Sequence, residues 1–274
     1  MSGHPPVVLT IAGSDSGGGA GVEMDLKVFC ALGCFGACAI TALTAQNTVG
    51  VLGAWEAPSH FVAAQINAVL DDLPVRAAKT GMLSSEAVVR TVADIVRSRP
   101  LPQLVVDPVV VAKDGTHLLS EAGIAAVRDE LLPLATIVTP NLPEAEALTD
   151  IKIACEEDAR RAAAKLRSLG CTWVLVKGGH QRGATVTDLL IGPEDEQAMS
   201  SSRVPGGPFH GTGCAFSAAL TAHLAHAQTI PDAVRAARDF VFLLLKQPLA
   251  LGRGSLVLQP TFGVGRDFNS KQHR

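Results

Sequence analysis

The segment HGTGCAFSAAL, residues 210–220, places a cysteine where a glycine-rich turn meets the start of a helix. Gly211 and Gly213 leave the backbone open, and the alanines after Cys214 favour a helix. Free N–H groups at a helix N-terminus carry partial positive charge and hold anions, often phosphates. The same field is expected to lower the pKa of the Cys214 thiol. The segment therefore predicts an anion site, unless Cys214 is only a small residue in a tight turn.

Other polar residues follow short apolar runs that are typical of strands. Asp107 ends QLVVDP and Lys113 comes shortly after it, Asn141 and Glu144 lie in TPNLPEAE, and Lys177 lies in VKGGH. Carboxylates near a bound anion are typical of Mg²⁺ sites, where the metal keeps waters and takes one or two carboxylates plus phosphates. An ammonium at a strand end can hold a nucleotide phosphate. Any of these residues alone is more often a surface charge, but together and in this order they predict a site.

Two further stretches could line a ligand. AGSDSGGGAG, residues 12–21, can close tightly around a ligand, although a flexible loop is the alternative. It matches neither the dinucleotide-binding fingerprint nor the P-loop, so HGTGC is the better phosphate element. Gln46 in AQNT offers an amide that suits the edge of a heteroaromatic ring, with a simple turn as the alternative. Asp25 lies one turn beyond the glycine-rich loop, where a surface charge is the usual interpretation and ligand contact the weaker one.

The elements that must position these residues alternate between strands and helices. The pattern predicts strands at 7–11, 36–45, 75–81, 103–108, 136–141, 173–179, 188–191 and 199–204. It predicts helices at 20–32, 84–97, 120–132, 156–169, 213–227 and 231–245, and one more helix that begins after Ser59 as its N-cap. This order predicts a doubly wound α/β fold with a mainly parallel central sheet and helices on both faces. No linker divides the chain, so we expect a single domain over residues 1–265 and a polar tail over 266–274.

Composition excludes several classes of function. The 274 residues carry a net charge of −3, with 4% aromatic residues and no Tyr, so a basic, aromatic face for nucleic acid is not expected. No apolar stretch reaches the ~18 residues that span a bilayer, and no signal peptide is evident. The six cysteines form no CxxC pair. We therefore expect a cytoplasmic protein with reduced thiols, with Cys30, Cys34 and Cys38 in its core.

The chain contains, in this order, TIAGSDSGGGAG, DLKVF, ITALTAQNTVGV, KTGML, VVDPVVVAKDG, VTPNLPEAEAL, VLVKGGH and HGTGC. By these motifs it resembles, over nearly its whole length, the hydroxymethylpyrimidine/phosphomethylpyrimidine kinases of thiamin biosynthesis, in the ribokinase-like superfamily. The resemblance implies a ribokinase-like fold and a homodimer. It also implies phosphoryl transfer from ATP, with Mg²⁺, to 4-amino-5-hydroxymethyl-2-methylpyrimidine and then to its monophosphate.

The resemblance also implies roles for single residues. The pyrimidine is expected among seven of them, with Gln46 at the ring edge: Gly13, Ala20, Asp25, Thr44, Gln46, Met82 and Val109. Asp107 and Glu144 correspond to the Mg²⁺ positions, and the nucleotide and phosphate side comprises Asn141, Lys177, Asp188 and Thr212. Gly211, Gly213 and Cys214 correspond to the catalytic anion hole. Most ribokinase-like kinases have an aspartate base at the position of Cys214, and whether Cys214 is a base or only lines the hole stays open.

The chain departs from the family pattern at three places. Glu23-Met24 replaces Gln-Ala at the expected rim of the substrate pocket, Pro208-Phe209 replaces Asn-Thr, and GRGSLVL lacks the usual histidine. The last two departures lie on the expected nucleotide side. Two alternatives stay open. A pyridoxal kinase would phosphorylate a similar hydroxymethyl heteroaromatic ring on the same scaffold. A non-catalytic ligand-binding or regulatory protein is the other alternative, against which the combined set of polar strand-end residues and Cys214 argues.

Overall fold

The computed structural model describes residues 4–110, 118–180 and 183–261. Lys113 and the predicted tail 266–274 lie outside these residues.

The strands of the central sheet are β1 Val7–Asp15, β2 Phe35–Gln46, β3 Val51–Glu56, β4 Val75–Thr80, β5 Leu104–Val106, β6 Ile137–Val138, β7 Trp173–Val176, β8 Thr185–Ile191 and β9 Glu196–Ser202. A separate ribbon pairs β10 Phe209–His210 with β11 Leu256–Val257 in parallel. The helices are α1 Gly21–Ala31, α2 Ser59–Asp72, α3 Glu86–Ser98, α4 Glu121–Ala126, α5 Leu142–Thr149, α6 Glu156–Ser168, α7 Thr212–Ala225 and α8 Ile230–Lys246.

The central sheet has the order β3-β2-β1-β4-β5-β6-β7-β8-β9. The strands from β2 to β7 in this order are mutually parallel, whereas β3, β8 and β9 are antiparallel to their neighbours. Connections between parallel strands place helices on both faces of the sheet. The predicted doubly wound α/β fold is therefore confirmed.

Each face of the sheet has its own hydrophobic core. Successive strand residues point to opposite faces, so Leu9 and Ile11 join one core while Val8 joins the other. The first core also contains buried residues of α2 to α6, and the second contains those of α1, α7 and α8. Strands that are covered on both faces carry apolar residues on both sides, which accounts for the 47% of hydrophobic residues in the chain. Among the described residues, no helix is both long and apolar enough to cross a membrane.

Most helix boundaries agree with the sequence signals. Ser120 caps α4 by accepting a hydrogen bond from the N–H of Gly123 at 3.2 Å, as expected. The helix predicted at 156–169 is present as α6, and its alanine face is buried, with Ala159, Ala162, Ala163 and Leu166. Ser59 is not an N-cap, because it lies inside α2 after Pro58.

The sequence patterns missed β3 and α5. All six residues of β3 are exposed, so the strand lacks the alternation that a half-buried strand would show. α5 is short and begins with Leu142-Pro143, which the patterns placed in a loop. Of the three cysteines expected in the core, Cys34 is buried, Cys38 is half-buried and Cys30 is exposed. Cys30 does not belong to the buried face of α1.

Candidate active site

Three polar residues meet at the carboxyl ends of neighbouring parallel strands. Asp107 directly follows β5, Asn141 follows β6 and Lys177 directly follows β7. Asn141 and Lys177 form a parallel bridge beyond the two strands, so their backbones are adjacent. Ligands of doubly wound sheets bind at this edge. The structure therefore brings together the strand-end residues that the motifs selected.

Lys177 and Asp107 form an ion pair at the centre of this edge. Lys177 Nζ donates to Asp107 Oδ1 at 3.0 Å, and both side chains are largely removed from water. Ser217 on α7 donates to Asp107 Oδ2 at 3.0 Å. Burial alone would lower the pKa of Lys177, but Asp107 and Glu144 outweigh it and raise that pKa. Lys177 is therefore a fixed cation held by carboxylates at the sheet edge.

The N-terminus of α7 faces this cation. A Cβ atom placed on Gly213 would lie 3.7 Å from Lys177 Nζ and 3.9 Å from Asp107 Oδ2. The first hydrogen bond of the helix runs from the N–H of Ala215 to the carbonyl of Gly211. The N–H groups of Thr212, Gly213 and Cys214 therefore precede the first α-helical hydrogen bond, and groups at this position bind anions. Lys177 and the helix terminus thus supply positive charge to the same space.

Gly211 permits this geometry. Its φ is +77°, a left-handed conformation that favours glycine, and a Cβ here would lie 1.8 Å from the carbonyl oxygen of Gly19. The glycine-rich loop of residues 16–20 therefore lies directly against the start of α7. No other residue fits at position 211 without moving one of the two segments.

The thiol of Cys214 does not have the lowered pKa that the helix N-terminus predicted. The side chain is partly buried, and its removal from water raises the pKa to about 11. Lys79 acts in the opposite direction, whereas Asp25 and Asp107 add to the increase. Desolvation and two nearby carboxylates outweigh the helix dipole. The prediction of a low-pKa thiolate in the free protein is therefore wrong.

A second buried ion pair lies behind Cys214. Lys79 Nζ donates to both oxygens of Asp25 at 2.9 Å, and neither side chain is exposed to water. Thr10 donates to Asp25 Oδ2 at 2.6 Å. Asp25 is therefore not the surface charge that was the usual interpretation of the sequence. Its contact with a ligand stays a prediction. Lys79 lies in KTGML, and sequence reasoning did not assign a role to it.

Glu144 and Asn141 cap α5 together. Asn141 Oδ1 accepts from the N–H of Glu144 at 2.9 Å, and Glu144 Oε2 accepts from the N–H of Asn141 at 2.8 Å. This reciprocal capping box is one structural reason for both residues. Burial, partly offset by Lys177, raises the pKa of Glu144 to about 8. Asn141 and Glu144 lie near Lys177, as predicted. They cap α5 in addition to the phosphate and Mg²⁺ roles that the resemblance implies, which stay predictions.

The comparison with known proteins decides the family. A model of the phosphomethylpyrimidine kinase family matches residues 15–259 of the chain. The chain belongs to this family. The hydroxymethylpyrimidine/phosphomethylpyrimidine kinase of Streptomyces coelicolor is 48% identical over 250 residues, which cover 91% of this chain and 92% of that protein. This phosphomethylpyrimidine kinase family member is therefore an enzyme, a kinase of thiamin biosynthesis, as the motifs predicted.

Solved structures agree with this assignment and with the ribokinase-like fold. The crystal structure of a phosphomethylpyrimidine kinase from Clostridium difficile has 39% identity and a TM-score of 0.79, over 87% of this chain and 98% of that chain. An ADP complex of Bacillus subtilis pyridoxal kinase has 33% identity and a TM-score of 0.88, over 94% of this chain and 98% of that chain. Sequence identity is therefore higher with these pyrimidine kinases than with this pyridoxal kinase, whereas the backbone fold is similar to both.

On the expected substrate side, the kinase places several predicted residues close together. The Thr44 hydroxyl donates to the carbonyl of Ser14 at 2.8 Å and lies 3.3 Å from the amide of Gln46. A Cβ on Gly13 would lie 2.5 Å from Met82 Cε, so these two residues are in contact. Ala20 is the residue before α1, and the N–H of Val109 bonds to the carbonyl of Asp107. Their contacts with a substrate stay a prediction.

Sequence reasoning missed Asp15 and His210. Asp15 accepts hydrogen bonds from the N–H groups of Gly17, Gly19 and Ala20, so the glycine-rich loop is fastened rather than free. His210 Nε2 lies 2.7 Å from Asp15 Oδ2. Both residues stand inside motifs that were quoted, and an aspartate among glycines was the available signal for a fastened loop. Glu23, at one of the unusual positions, accepts from the N–H of Asp15 at 2.7 Å.

Asp188 makes its hydrogen bonds to residues other than the Lys177–Asp107 ion pair. It accepts from the N–H of Gly178 at 2.7 Å and from Arg238 Nε at 2.9 Å. These bonds fasten the turn that follows Lys177 to α8. A contact between Asp188 and the nucleotide stays a prediction.

The raised pKa of Cys214 predicts slow alkylation. At pH 8 a thiol of pKa about 11 is ionised in only about one molecule in a thousand, and the thiolate is the reactive form. Iodoacetamide should therefore label exposed Cys30 first, and labelling of Cys214 should accelerate as pH rises toward 11. Peptide mass spectrometry over time measures both rates. Labelling of Cys214 ahead of Cys30 at pH 7 contradicts this expectation and favours the thiolate that the helix terminus predicted.

Proposed function

We propose that the chain transfers a phosphoryl group from ATP to the hydroxymethyl group of 4-amino-5-hydroxymethyl-2-methylpyrimidine, and a second one to the resulting monophosphate. The carrying observation is the convergence of Lys177 with the N-terminus of α7 at the carboxyl edge of the sheet. Phosphoryl transfer requires little covalent chemistry from a protein, and positioning with charge stabilisation does most of the work. A cation opposite a helix N-terminus suits this requirement.

The residues at this edge would divide the work. Lys177 and the N–H groups of Gly213 and Cys214 would stabilise the negative charge on the transferred phosphoryl group. They are preorganised, because they hold their positions before the substrates bind. Asp107 holds Lys177 in position through the 3.0 Å ion pair. Because the thiol of Cys214 is neutral near pH 7, we assign it to the lining of the anion hole rather than to proton removal.

The carboxylates fit a magnesium ion that phosphates help to hold. Asp107 and Glu144 are hard oxygen ligands, and both are near a site for phosphate. Among the described residues, no group of three or more His, Cys, Asp and Glu side chains could hold a metal ion. The two carboxylates of Asp107 and Glu144 suit Mg²⁺, which keeps waters and takes one or two carboxylates plus phosphate oxygens. When bound with ATP, Mg²⁺ supplies positive charge to the phosphate oxygens.

Pyridoxal is the second candidate substrate. The observation that favours it is the TM-score of 0.88 with the Bacillus subtilis pyridoxal kinase, against 0.79 with the Clostridium difficile phosphomethylpyrimidine kinase. Sequence identity favours the pyrimidine, at 48% with the Streptomyces coelicolor kinase. We place the pyrimidine first because the amide of Gln46 can pair with an aminopyrimidine edge.

A product assay tests the proposal directly. The purified protein is given ATP, Mg²⁺ and either the hydroxymethylpyrimidine, its monophosphate or pyridoxal, and products are identified by mass. We expect mono- and diphosphate of the pyrimidine, with a higher kcat/KM than for pyridoxal phosphate formation. Equal or better use of pyridoxal would move the assignment to the second candidate, and absence of any ATP-dependent product would reject both.

Glu144→Gln tests the magnesium role separately from the helix cap. Glutamine can replace glutamate in a capping box, so α5 should remain intact while the carboxyl group that could ligate Mg²⁺ is lost. The Mg²⁺ concentration for half-maximal rate should rise about 10–100-fold, and excess Mg²⁺ should partly restore kcat. Rates measured over a Mg²⁺ series check this. An unchanged Mg²⁺ dependence would remove Glu144 from the metal site.

We also propose that the chain is a cytoplasmic homodimer that does not bind nucleic acid. Large apolar side chains are exposed around the antiparallel edge of the sheet, namely Leu43, Val49, Val51, Leu52, Trp55 and Phe61. Such a surface on an edge strand is suited to contact with a second copy. Sedimentation should give about twice the 28.4 kDa chain mass, and Leu52→Glu with Trp55→Glu should give the monomer. Leu243→Glu, at an exposed site on α8, is the matched control. A monomeric native protein would contradict this.

A further inference from the structure

A largely buried ion pair lies beside the turn that follows Lys177. Asp188 on β8 accepts a hydrogen bond from Arg238 Nε on α8 at 2.9 Å, and the two side chains are only 12% and 16% exposed. The other carboxylate oxygen, Asp188 Oδ1, accepts from the N–H of buried Gly178 at 2.7 Å. Arg238 Nη2 also donates to the hydroxyl of Ser201 on β9 at 3.4 Å. The ion pair therefore joins α8 to the residue next to Lys177.

The turn after β7 packs tightly against β8. Val176 and Leu189 form the last pair of the β7–β8 ladder, so Gly178 lies beyond the regular strand pairing. A Cβ placed on Gly178 would collide with the carbonyl oxygen of Thr187, so glycine is what lets the two backbones approach. A buried N–H without a partner costs about 1–3 kcal/mol. Asp188 therefore gives Gly178 the partner that the strand ladder no longer supplies.

The same hydrogen bond fixes the backbone of Lys177. The N–H that Asp188 binds belongs to the peptide group between Lys177 and Gly178, so its direction sets the ψ angle of the lysine. On the other side, the N–H of Lys177 donates to the carbonyl of Pro140 at 2.8 Å. The side chain then reaches Asp107, where Nζ donates at 3.0 Å. A cation in phosphoryl transfer must be placed accurately, since an error of about 1 Å can cost about 100-fold in rate.

We infer that Arg238, through Asp188, is a positioning residue for Lys177. Arg238 holds the carboxylate in its orientation, and the carboxylate holds the peptide group that follows the lysine. Without Arg238, the carboxylate of Asp188 would be buried without a counter-charge, so it would turn toward water and release Gly178. The inference rests on the proposed function, because it concerns how the site keeps the cation of the phosphoryl transfer in place.

The test removes Arg238 with and without Lys177. Arg238 is varied rather than Asp188, because the resemblance implies a nucleotide contact for Asp188. The variants are Arg238→Met, Arg238→Lys, Lys177→Met and the double variant of Arg238→Met with Lys177→Met. The matched control is Arg235→Met, because Arg235 lies on the same helix in an exposed pair with Asp232. For each protein, kcat and both KM values are measured with ATP, Mg²⁺ and the hydroxymethylpyrimidine.

Arg238→Met should lower kcat about 10–100-fold. The KM for the pyrimidine should stay within about twofold, because its contacts are expected at other strand ends. Arg238→Lys should recover part of kcat, since an ammonium can also donate to Asp188. In the Lys177→Met protein, removal of Arg238 should lower kcat further by less than about twofold, because the cation that it positions is already gone. Arg235→Met should leave kcat within about twofold of the wild type.

Deuterium exchange gives a readout that does not depend on turnover. The peptide that contains Gly178 is followed by mass spectrometry in the absence of substrates. Its exchange should be about tenfold faster in Arg238→Met than in the wild type, the effect of losing roughly one hydrogen bond. Arg235→Met should leave this exchange unchanged.

The outcomes separate the two proposals. If the wild type forms no ATP-dependent product from the pyrimidine, the proposed function fails and the role of Arg238 in it fails as well. If the wild type is active, equal losses of kcat with and without Lys177 overturn only the inference, since a general loss of structure lowers both rates alike. Unchanged exchange at Gly178 in Arg238→Met overturns the inference whatever the rates are. Should Arg238→Met not fold, Arg238→Lys takes its place in the cycle, with the same pattern and a smaller loss.

Discussion

A Lys79→Met protein should lose about 3–5 kcal/mol of its free energy of unfolding. Lys79 and Asp25 form an ion pair with no exposure to water, and methionine keeps the volume of the lysine stem without its charge. The carboxylate of Asp25 would then be buried without a counter-charge, which is the costly way to break such a pair. Urea unfolding of both proteins at pH 7.5 measures the difference.

The control removes a lysine from an exposed pair. Lys152 lies 3.1 Å from Glu146 and its side chain is 91% exposed, so Lys152→Met should change stability by less than about 1 kcal/mol. A second control, Lys79→Met with Asp25→Leu, should recover part of the loss because no buried charge is left. A single Lys79→Met variant as stable as the Lys152→Met protein would contradict the prediction.

The loss should also depend on pH. Burial already raises the pKa of Asp25 in the native protein, and Lys79 opposes that increase. Removing Lys79 should therefore raise the folded-state pKa of Asp25 further above its unfolded value of about 3.9. Stability linked to a raised pKa is fully present below the unfolded pKa and is lost as pH rises through the folded pKa. The stability difference between wild type and variant should accordingly narrow toward pH 4 and widen as pH rises through the folded-state pKa of Asp25.

Lys177→Met should lower kcat about 10²–10³-fold, the usual effect of removing one donor that stabilises the transition state. Lys177 is the fixed cation beside the start of α7, where its Nζ donates to Asp107 Oδ1 at 3.0 Å. Asp107 keeps its bonds from Thr139 and Ser217, at 3.3 and 3.0 Å, so the fold should survive. Initial rates at saturating ATP and pyrimidine measure the effect.

Lys246→Met is the matched control for this variant. Lys246 is exposed at the end of α8, 4.3 Å from the ring of Phe242, and its removal should leave kcat within about twofold. Thermal unfolding of both variants shows whether they are folded. A folded Lys177→Met protein with more than a third of the native kcat would remove Lys177 from the catalytic machinery.

The fold could be predicted from the sequence because apolar strand runs alternate with helical patterns along the chain. The polar motifs follow the strands in the same order. Asp107, Asn141 and Lys177 come at strand ends, and parallel strands bring their ends to one edge, so their meeting could be predicted. β3 could not be found, since its sequence VLGAWE lacks the alternation of apolar and polar residues that marks a half-buried strand. α5 was missed because it is short, has a proline as its second residue and carries the polar motif.

Electrostatic detail was less accessible to sequence reasoning than topology. Cys214 was assigned from the helix terminus alone, but its pKa also depends on burial and on Asp25 and Asp107, which are distant in sequence. Asp25 was expected at the surface or at the ligand, and only the structure shows Lys79 opposite it. Such pairings depend on which side chains the folded chain removes from water together, and spacing along the chain does not record that.

The contact between Gly19 and Gly211 joins the glycine-rich loop of residues 16–20 to the start of α7, so the two segments are expected to move together. With a hypothetical Cβ on Gly211 only 1.8 Å from the carbonyl oxygen of Gly19, neither backbone can move toward the other. A pyrimidine that shifts the glycine-rich loop therefore also shifts the start of α7, where the phosphates are expected. Linkage would make such an effect reciprocal: ATP would change the affinity for the pyrimidine by the same factor as the pyrimidine would change the affinity for ATP. Coupling between the two substrates would then need no moving domain, because the two loops are already in backbone contact.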